Sequence, residues 1–305
     1  MKIAIVGIGA MGGVYAGLFA EAGHEVWAID VWPEHMDAIN TGMRLEGFSG
    51  DRIILGIRAT AVPAEVGECD LVVLATKAAG VGPAAQAMAP LLGPETPVLT
   101  IQNGMGAGER LSAVMEPSRV MLGIAQAFGA SVVAPGHIHH NNMNLIRLGE
   151  LGGGETDRLS EIVNVWRSAG FTAEGYADTD QMIWEKFICN VSFSGPCTVF
   201  DRSIGEMMSD PGTRVLCLGC GCEADAAARA LGVSLTFDAP VPYLEAFAEK
   251  VWNGRPSMLL DHHARRRSEI DALNGMVPVK GGEAGVPTPM NETVTAIVRA
   301  REEEF

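Results

Sequence analysis

The sequence has 305 residues, 48% of them hydrophobic and only 19% charged, which supplies real cores and excludes a disordered chain. Its formal net charge of −15 repels a polyanion and argues against nucleic acid as a partner, while leaving room for a local pocket that holds one small anion. No stretch of about 20 residues stays apolar without a charge or glycine, so no membrane span is expected.

The N-terminal MKIAIVGIGAMGG is interrupted by glycines at once and does not read as a signal peptide. A cytoplasmic protein is expected, with Cys69, Cys189, Cys197, Cys217, Cys220 and Cys222 as reduced thiols.

Along the first half, short β-rich runs alternate with helix-like runs. KIAIV (2–6), EVWAID (25–30), DLVVLAT (70–76) and PVLTIQ (97–102) read as buried strands. Helical stretches follow at 11–23, near 33–41, at 80–92 and at 106–115. This alternation predicts an α/β Rossmann domain, a parallel sheet with helices on both faces. Residues 119–148 read as several short added strands that close this domain, 156–170 as a helix, and 171–178 as a last strand and linker. Beyond it, 179–196, 211–231, 240–253, 258–284 and 290–303 favour helix. The expected organisation is a dinucleotide-binding domain over 1–176 and an all-α domain over 177–305.

Gly7-Ile8-Gly9-Ala10-Met11-Gly12 fits G-x-G-x-x-G. The bare pattern carries little weight in a glycine-rich chain; its place between an apolar strand and a helix carries much more. Gly7 permits the tight turn, Gly9 lets the backbone approach a pyrophosphate, and Gly12 lets helix and strand pack closely. A ligand-free turn and a flavin-binding Rossmann domain are the alternatives. Asp30 ends the second strand, where a carboxylate accepts from the adenosine ribose hydroxyls and repels a 2′-phosphate. NAD is therefore favoured over NADP, the alternative being that Asp30 merely caps a helix.

In the second half, Lys186, Asn190 and Ser194 share one face of a mostly apolar helix. A lysine there needs a partner, a wet cleft, or a route to the surface. Here a resemblance becomes visible. GIGAMG at the N-terminus, ATK at 75–77, IQNG at 101–104, WEKFICN at 184–190, RPSMLLD at 255–261, SEIDALNG at 268–275 and GVPTPMN at 285–291 resemble, in order, the ketopantoate reductase (2-dehydropantoate 2-reductase) family.

The resemblance implies NAD(P)H-dependent reduction of a 2-oxo acid, in a cleft between the domains of a homodimer-forming enzyme of pantothenate biosynthesis. It implies Lys186 as general acid and Glu269 as the second key group. Asn103, near substrate and nicotinamide, Asn190, Ser194 and Ser257 are implied substrate contacts, and Lys77 lies on the cofactor side. The residue types suit the chemistry, because an ammonium stabilises and protonates the alkoxide that hydride addition creates. Bland alternatives stand beside each: a helical ion pair between Arg265 and Glu269, Ser257 as an N-cap, and Asn103 as a turn residue.

Three departures bear on the site, two of them in the pocket and the third on the cofactor side. Ser194 stands where the family carries a second asparagine, Leu260 where it often carries glutamine, and a glutamine after the ATK lysine is replaced around Gly80. A site that lacks a partner for a substrate hydroxyl rejects that substrate, so another branched or functionalised 2-oxo acid competes with ketopantoate. A non-catalytic dinucleotide sensor and an opine-type or other hydroxy-acid dehydrogenase are the remaining readings. Cys217-x-x-Cys220-x-Cys222, His137, His139 and His140 read as ordinary structure and not as metal ligands. Arg265-Arg266-Arg267 reads as a solvated helix face, and the terminal Arg-Glu-Glu-Glu as a fraying helix end.

Overall fold

In the computed structural model, which describes all 305 residues, Lys2–Val6 forms strand β1, and its Ile3, Ala4, Ile5 and Val6 are all buried. A strand without polar alternation belongs inside a parallel sheet covered on both faces. β1 accordingly pairs in parallel with β2 (Glu25–Ile29) on one side and β6 (Leu71–Leu74) on the other. The sheet continues in parallel through β7 (Val98–Thr100) to β8 (Val120–Gln126). Antiparallel β11 (Leu145–Glu150) and the short β12 (Ala173–Gly175) complete that side. β5 (Arg58–Thr60) pairs with β2 at the other edge.

Residues 42–69, to which sequence patterning assigns no element, hold β5 and two further short strands, β3 (Met43–Gly47) and β4 (Arg52–Ile54). These pair with β10 (His137–Asn142) and β9 (Gly129–Ala134) in a separate sheet ordered β4-β3-β10-β9. Of the strands expected over 119–148, β8 and β11 therefore extend the main sheet, whereas β9 and β10 leave it. Helix α1 (Ala10–Glu21) packs against β2 and also against β9 and β10. It is buried from Gly12 to Phe19 and for that reason shows no amphipathic stripe. Helices α2 (Pro33–Thr41), α3 (Val81–Ala87), α4 (Ala107–Ser112) and α5 (Asp157–Ser168) make the remaining crossovers.

The chain divides into two compact units, Met1–Gln102 with Ala107–Thr179, and Asn103–Gly106 with Asp180–Phe305. The second is all helical: α6 (Thr179–Phe200), α7 (Ile204–Ser209), α8 (Pro211–Ala230), α9 (Pro240–Lys250), α10 (Ser257–His263), α11 (Met276–Ala284) and α12 (Pro289–Glu302). α7 is absent from the sequence reading, although its capping box is legible: Ser203 accepts from the Glu206 amide while Glu206 accepts from the Ser203 amide. No helix is long and apolar enough to cross a membrane. Cys217 and Cys220 are buried on α8, and burial pushes the Cys217 thiol up to about 12, so this pair serves as core.

Residues 258–284 are not one helix. α10 ends at His263, and Arg265 turns the chain in the left-handed region with φ 50°. One 3₁₀ turn (Ile270–Ala272) precedes α11. The Arg265–Arg267 run is thus a turn, with Arg266 bonded to Asp261 at 3.0 Å. The C-terminus also differs from a fraying end. Glu302 is buried and accepts from Ser268 N at 2.8 Å and Ser268 Oγ at 2.5 Å. His262 Nε2 lies 3.1 Å from the same carboxylate oxygen.

Candidate active site

The first part of the site is the turn between β1 and α1. Gly7 has φ 93°, and a Cβ there would lie 2.6 Å from Thr76 N. A Cβ on Gly12 would lie 2.0 Å from Gly7 O, so both positions exclude any side chain. Gly9 is different: nothing lies within 4 Å of its would-be Cβ. It caps α1 without a side-chain bond, and no acidic residue occupies the first turn. The amides of Ala10, Met11 and Gly12 precede any intrahelical carbonyl and face this open space with the positive end of the helix dipole. Such a cradle fits a pyrophosphate.

Ile8 is clamped on both sides of the turn. Its amide donates to Asp30 Oδ2 at 2.8 Å, while Val31 N donates to Oδ1 at 2.7 Å. Asp30 does not cap α2, whose N-cap is Trp32. The Ile8 carbonyl meets Nε2 of buried His35 at 2.9 Å, and Gly136 N donates to Nδ1 at 3.0 Å. Because Nδ1 accepts, Nε2 carries the proton and donates. Trp32 stacks on this ring, with centroids 4.6 Å apart. Lys77 follows β6 on the same side as Gly7 and is exposed; the adjacent Thr76 Oγ1 is buried without a protein partner. His35 and Trp32 carry no role in the sequence reading, since neither belongs to a spaced motif, and Thr76 lies inside the ATK run without a role of its own. The open cradle, the orphan hydroxyl and Asp30 together fit a dinucleotide.

The second part lies in the helical unit. Lys186 Nζ donates to Asn103 Oδ1 at 2.9 Å. Asn103 belongs to a short segment bound to this unit through Met105 N, which donates to Ala272 O at 2.9 Å. Asn103, Asn190, Ser194, Arg255 and Ser257 all line one cavity of about 230 Å³. The other walls are Cys189, Phe193, Ile204, Phe247, Val251 and Leu273, with Gly254 and Pro256. Burial pushes the Cys189 thiol up to about 12, with Glu185 acting in the same direction and Tyr243 opposing. Sequence reasoning missed Arg255 and these apolar walls. Leu260 is about half exposed and does not line the cavity.

α6 needs support where it carries these groups. Pro196 cannot donate to the Ser192 carbonyl. One step earlier, the side chain of buried Asn274 accepts from Gly195 N at 3.2 Å and donates to Val191 O at 2.8 Å. Its amide also donates to Asn291 Oδ1 at 2.9 Å, and Asn291 in turn donates to Glu223 at 2.7 Å. Glu185 accepts from Thr236 N at 2.7 Å, so this neighbour of Lys186 is structural. Ser257 is the first residue of α10, and its cap is Pro256. Glu269 lies next to the pinned Ser268, outside any α-helix. Arg265 instead donates to Glu304 O and faces the Phe305 ring, so the helical spacing that an ordinary Arg265–Glu269 pair requires is absent.

Residues 3–153 match the family model described as Ketopantoate reductase PanE/ApbA, and residues 178–302 match its C-terminal counterpart. The chain belongs to the ketopantoate reductase family. A 2-dehydropantoate 2-reductase of Mesorhizobium japonicum is 34% identical, covering 98% of this chain and 97% of that protein. A ketopantoate reductase family structure from Ralstonia eutropha superposes with a TM-score of 0.90 at 30% identity over 100% of this chain and 99% of that one. The structure of a D-mandelate dehydrogenase with NADH and anilino(oxo)acetate also reaches 0.90, at 26% identity over 100% and 99%. The chain is a 2-dehydropantoate 2-reductase-like oxidoreductase, and within its family the relatives include both ketopantoate reductases and a mandelate dehydrogenase.

Proposed function

We propose that this protein reduces a 2-oxo acid, ketopantoate or a related branched acid, to the 2-hydroxy acid, with NADH as the favoured reductant. The observation that carries the reading is the Lys186–Asn103 bond at the edge of a cavity also lined by Asn190, Ser194 and Ser257.

Gly7 to Gly12 hold the pyrophosphate, Asp30 the adenosine ribose, and Lys77 the cofactor side of the site. A reduced nicotinamide, when bound, supplies a hydride to the ketone carbon. The chain's own residues manage the charge. Asn103 fixes the direction of the Lys186 ammonium, which stabilises negative charge on the former ketone oxygen and gives it a proton. Ser257, Asn190 and Ser194 orient the acid, and Arg255 contributes the one formal charge among the lining residues. Glu269 orients Lys186 or bonds the product hydroxyl. The NADH–mandelate dehydrogenase relative supports NAD and a second reading with the same residues, oxidation of a 2-hydroxy acid. A homodimer is expected from the resemblance and is read by sizing in solution.

The test is a panel of 2-oxo acids, ketopantoate included, assayed with NADH and NADPH. Turnover is expected with at least one acid and faster with NADH. Equal or reversed cofactor preference removes the Asp30 argument, and no turnover with any acid removes the reaction.

A further inference from the structure

The cavity beside Lys186 is polarised from rim to interior. Arg255 and Ser257 are exposed and mark the rim. Arg255 also lines an open depression of about 640 Å³, where its guanidinium lies 3.7 Å from Asp201 and 4.0 Å from Glu206. Asn103 is already engaged by Lys186. The interior is built from Phe193, Ile204, Leu273 and Cys189, all buried. Phe193 stacks with Phe247, centroids 5.8 Å apart. The Cys189 thiol, protonated at any physiological pH, behaves as a small apolar group. Ser194 brings the one hydroxyl among the buried lining residues.

A 2-oxo acid presents three oxygens at one end and its side chain at the other. The oxygens match the rim, Asn190 and the Lys186–Asn103 pair. The side chain then enters among Phe193, Phe247, Ile204 and Leu273. A hydroxyl carried into that space loses its water and meets carbon walls, with Ser194 as the one buried hydroxyl beside them. The volume is also below the roughly 300–1,000 Å³ of sites that hold drug-sized ligands, which restricts the acid to a small one.

We infer that the site selects 2-oxo acids with a compact apolar side chain, branched or phenyl, over those with a hydroxylated one. This rests on the 2-oxo acid reductase reading and narrows it, since ketopantoate carries a terminal hydroxyl.

The decisive comparison uses two acids that differ only in that hydroxyl: 3,3-dimethyl-2-oxobutanoate and ketopantoate, its 4-hydroxy derivative. Phenylglyoxylate is the aromatic arm. With the full-length enzyme and NADH, kcat/KM is expected to favour the deoxy acid by about tenfold to a hundredfold, the range an apolar pocket achieves against an added hydroxyl. Equal efficiency, or a preference for ketopantoate, overturns the inference and leaves the reductase reading intact. Failure with every acid and both cofactors overturns both. A Phe247→Ser variant, checked for folding by thermal melting, is expected to move the ratio toward ketopantoate. An unchanged ratio in the folded variant refutes the role of this wall.

Discussion

Lys186 and Glu185 are chain neighbours with opposite fates. Glu185 is buried and bonded to Thr236, whereas the amine of Lys186 is drawn to Asn103 beside a cavity. Position around the helix separates them, since consecutive residues point about 100° apart. If the amine gives the proton, Lys186→Ala loses about 10²–10⁴ in kcat, the usual range for a positioned acid. The NADH dissociation constant, read by fluorescence, stays near that of the wild type because the glycine turn is untouched. Wild-type-like turnover in this variant would remove the assignment. The Lys186–Asn103 pair was legible only in halves. Each residue stood out in its own motif, but their meeting depends on the fold, which brings a residue from the first half of the chain to the helical unit.

At the scale of elements, α6 illustrates what a sequence reveals and what it hides. The face shared by Lys186, Asn190 and Ser194 followed from helical spacing alone. The helical segment expected over 179–196 runs on past Pro196 to Phe200. The compensation is remote: Asn274 bonds both Gly195 N and Val191 O, and Asn291 holds Asn274 in turn. Asn274→Leu leaves buried backbone groups without partners, which costs about 1–3 kcal/mol each. A fall of that order in unfolding free energy is expected from urea titration, together with a lowered kcat as Asn190 and Ser194 shift. A double-mutant cycle with Asn291→Ala measures the network, and additive losses would refute the coupling. The short strands β3, β4 and β5 escaped the sequence reading for a related reason. Runs such as MRLEG, RII and RAT are too brief and too charged to show a period, and they exist because β10 and β2 offer edges to pair with.

For the molecule as a whole, acid is the condition that tests the packing of the first unit. His140 is fully buried, stacked on Phe128 with centroids 5.0 Å apart, and its Nε2 has no protein partner. Burial lowers its pKa below the ordinary histidine value, with Arg52 and His139 adding to the effect and a bond to the Asn142 backbone opposing it. The folded chain therefore keeps this ring neutral while the unfolded chain protonates it near pH 6.5. Unfolding free energy is full above that pH and is lost as pH falls toward the lowered folded value. The melting temperature should decline between pH 7 and 5, and His140→Phe should flatten that decline. An unchanged slope would mean that other groups govern it.

The segment Asn103–Gly106 carries a practical lesson for anyone dissecting this enzyme. It is threaded into the helical unit from the middle of the Rossmann sequence, with Met105 in the apolar cluster beside Phe187 and its amide on Ala272. A fragment begun at Asp180 would carry α6 to α12, short of the first residue of α6, yet lack one tile of its own interior. It would also take Asn103 Oδ1 away from the amine of residue 186. Cutting the gene where the strands give way to helices thus separates the letters of the two units but not the objects themselves.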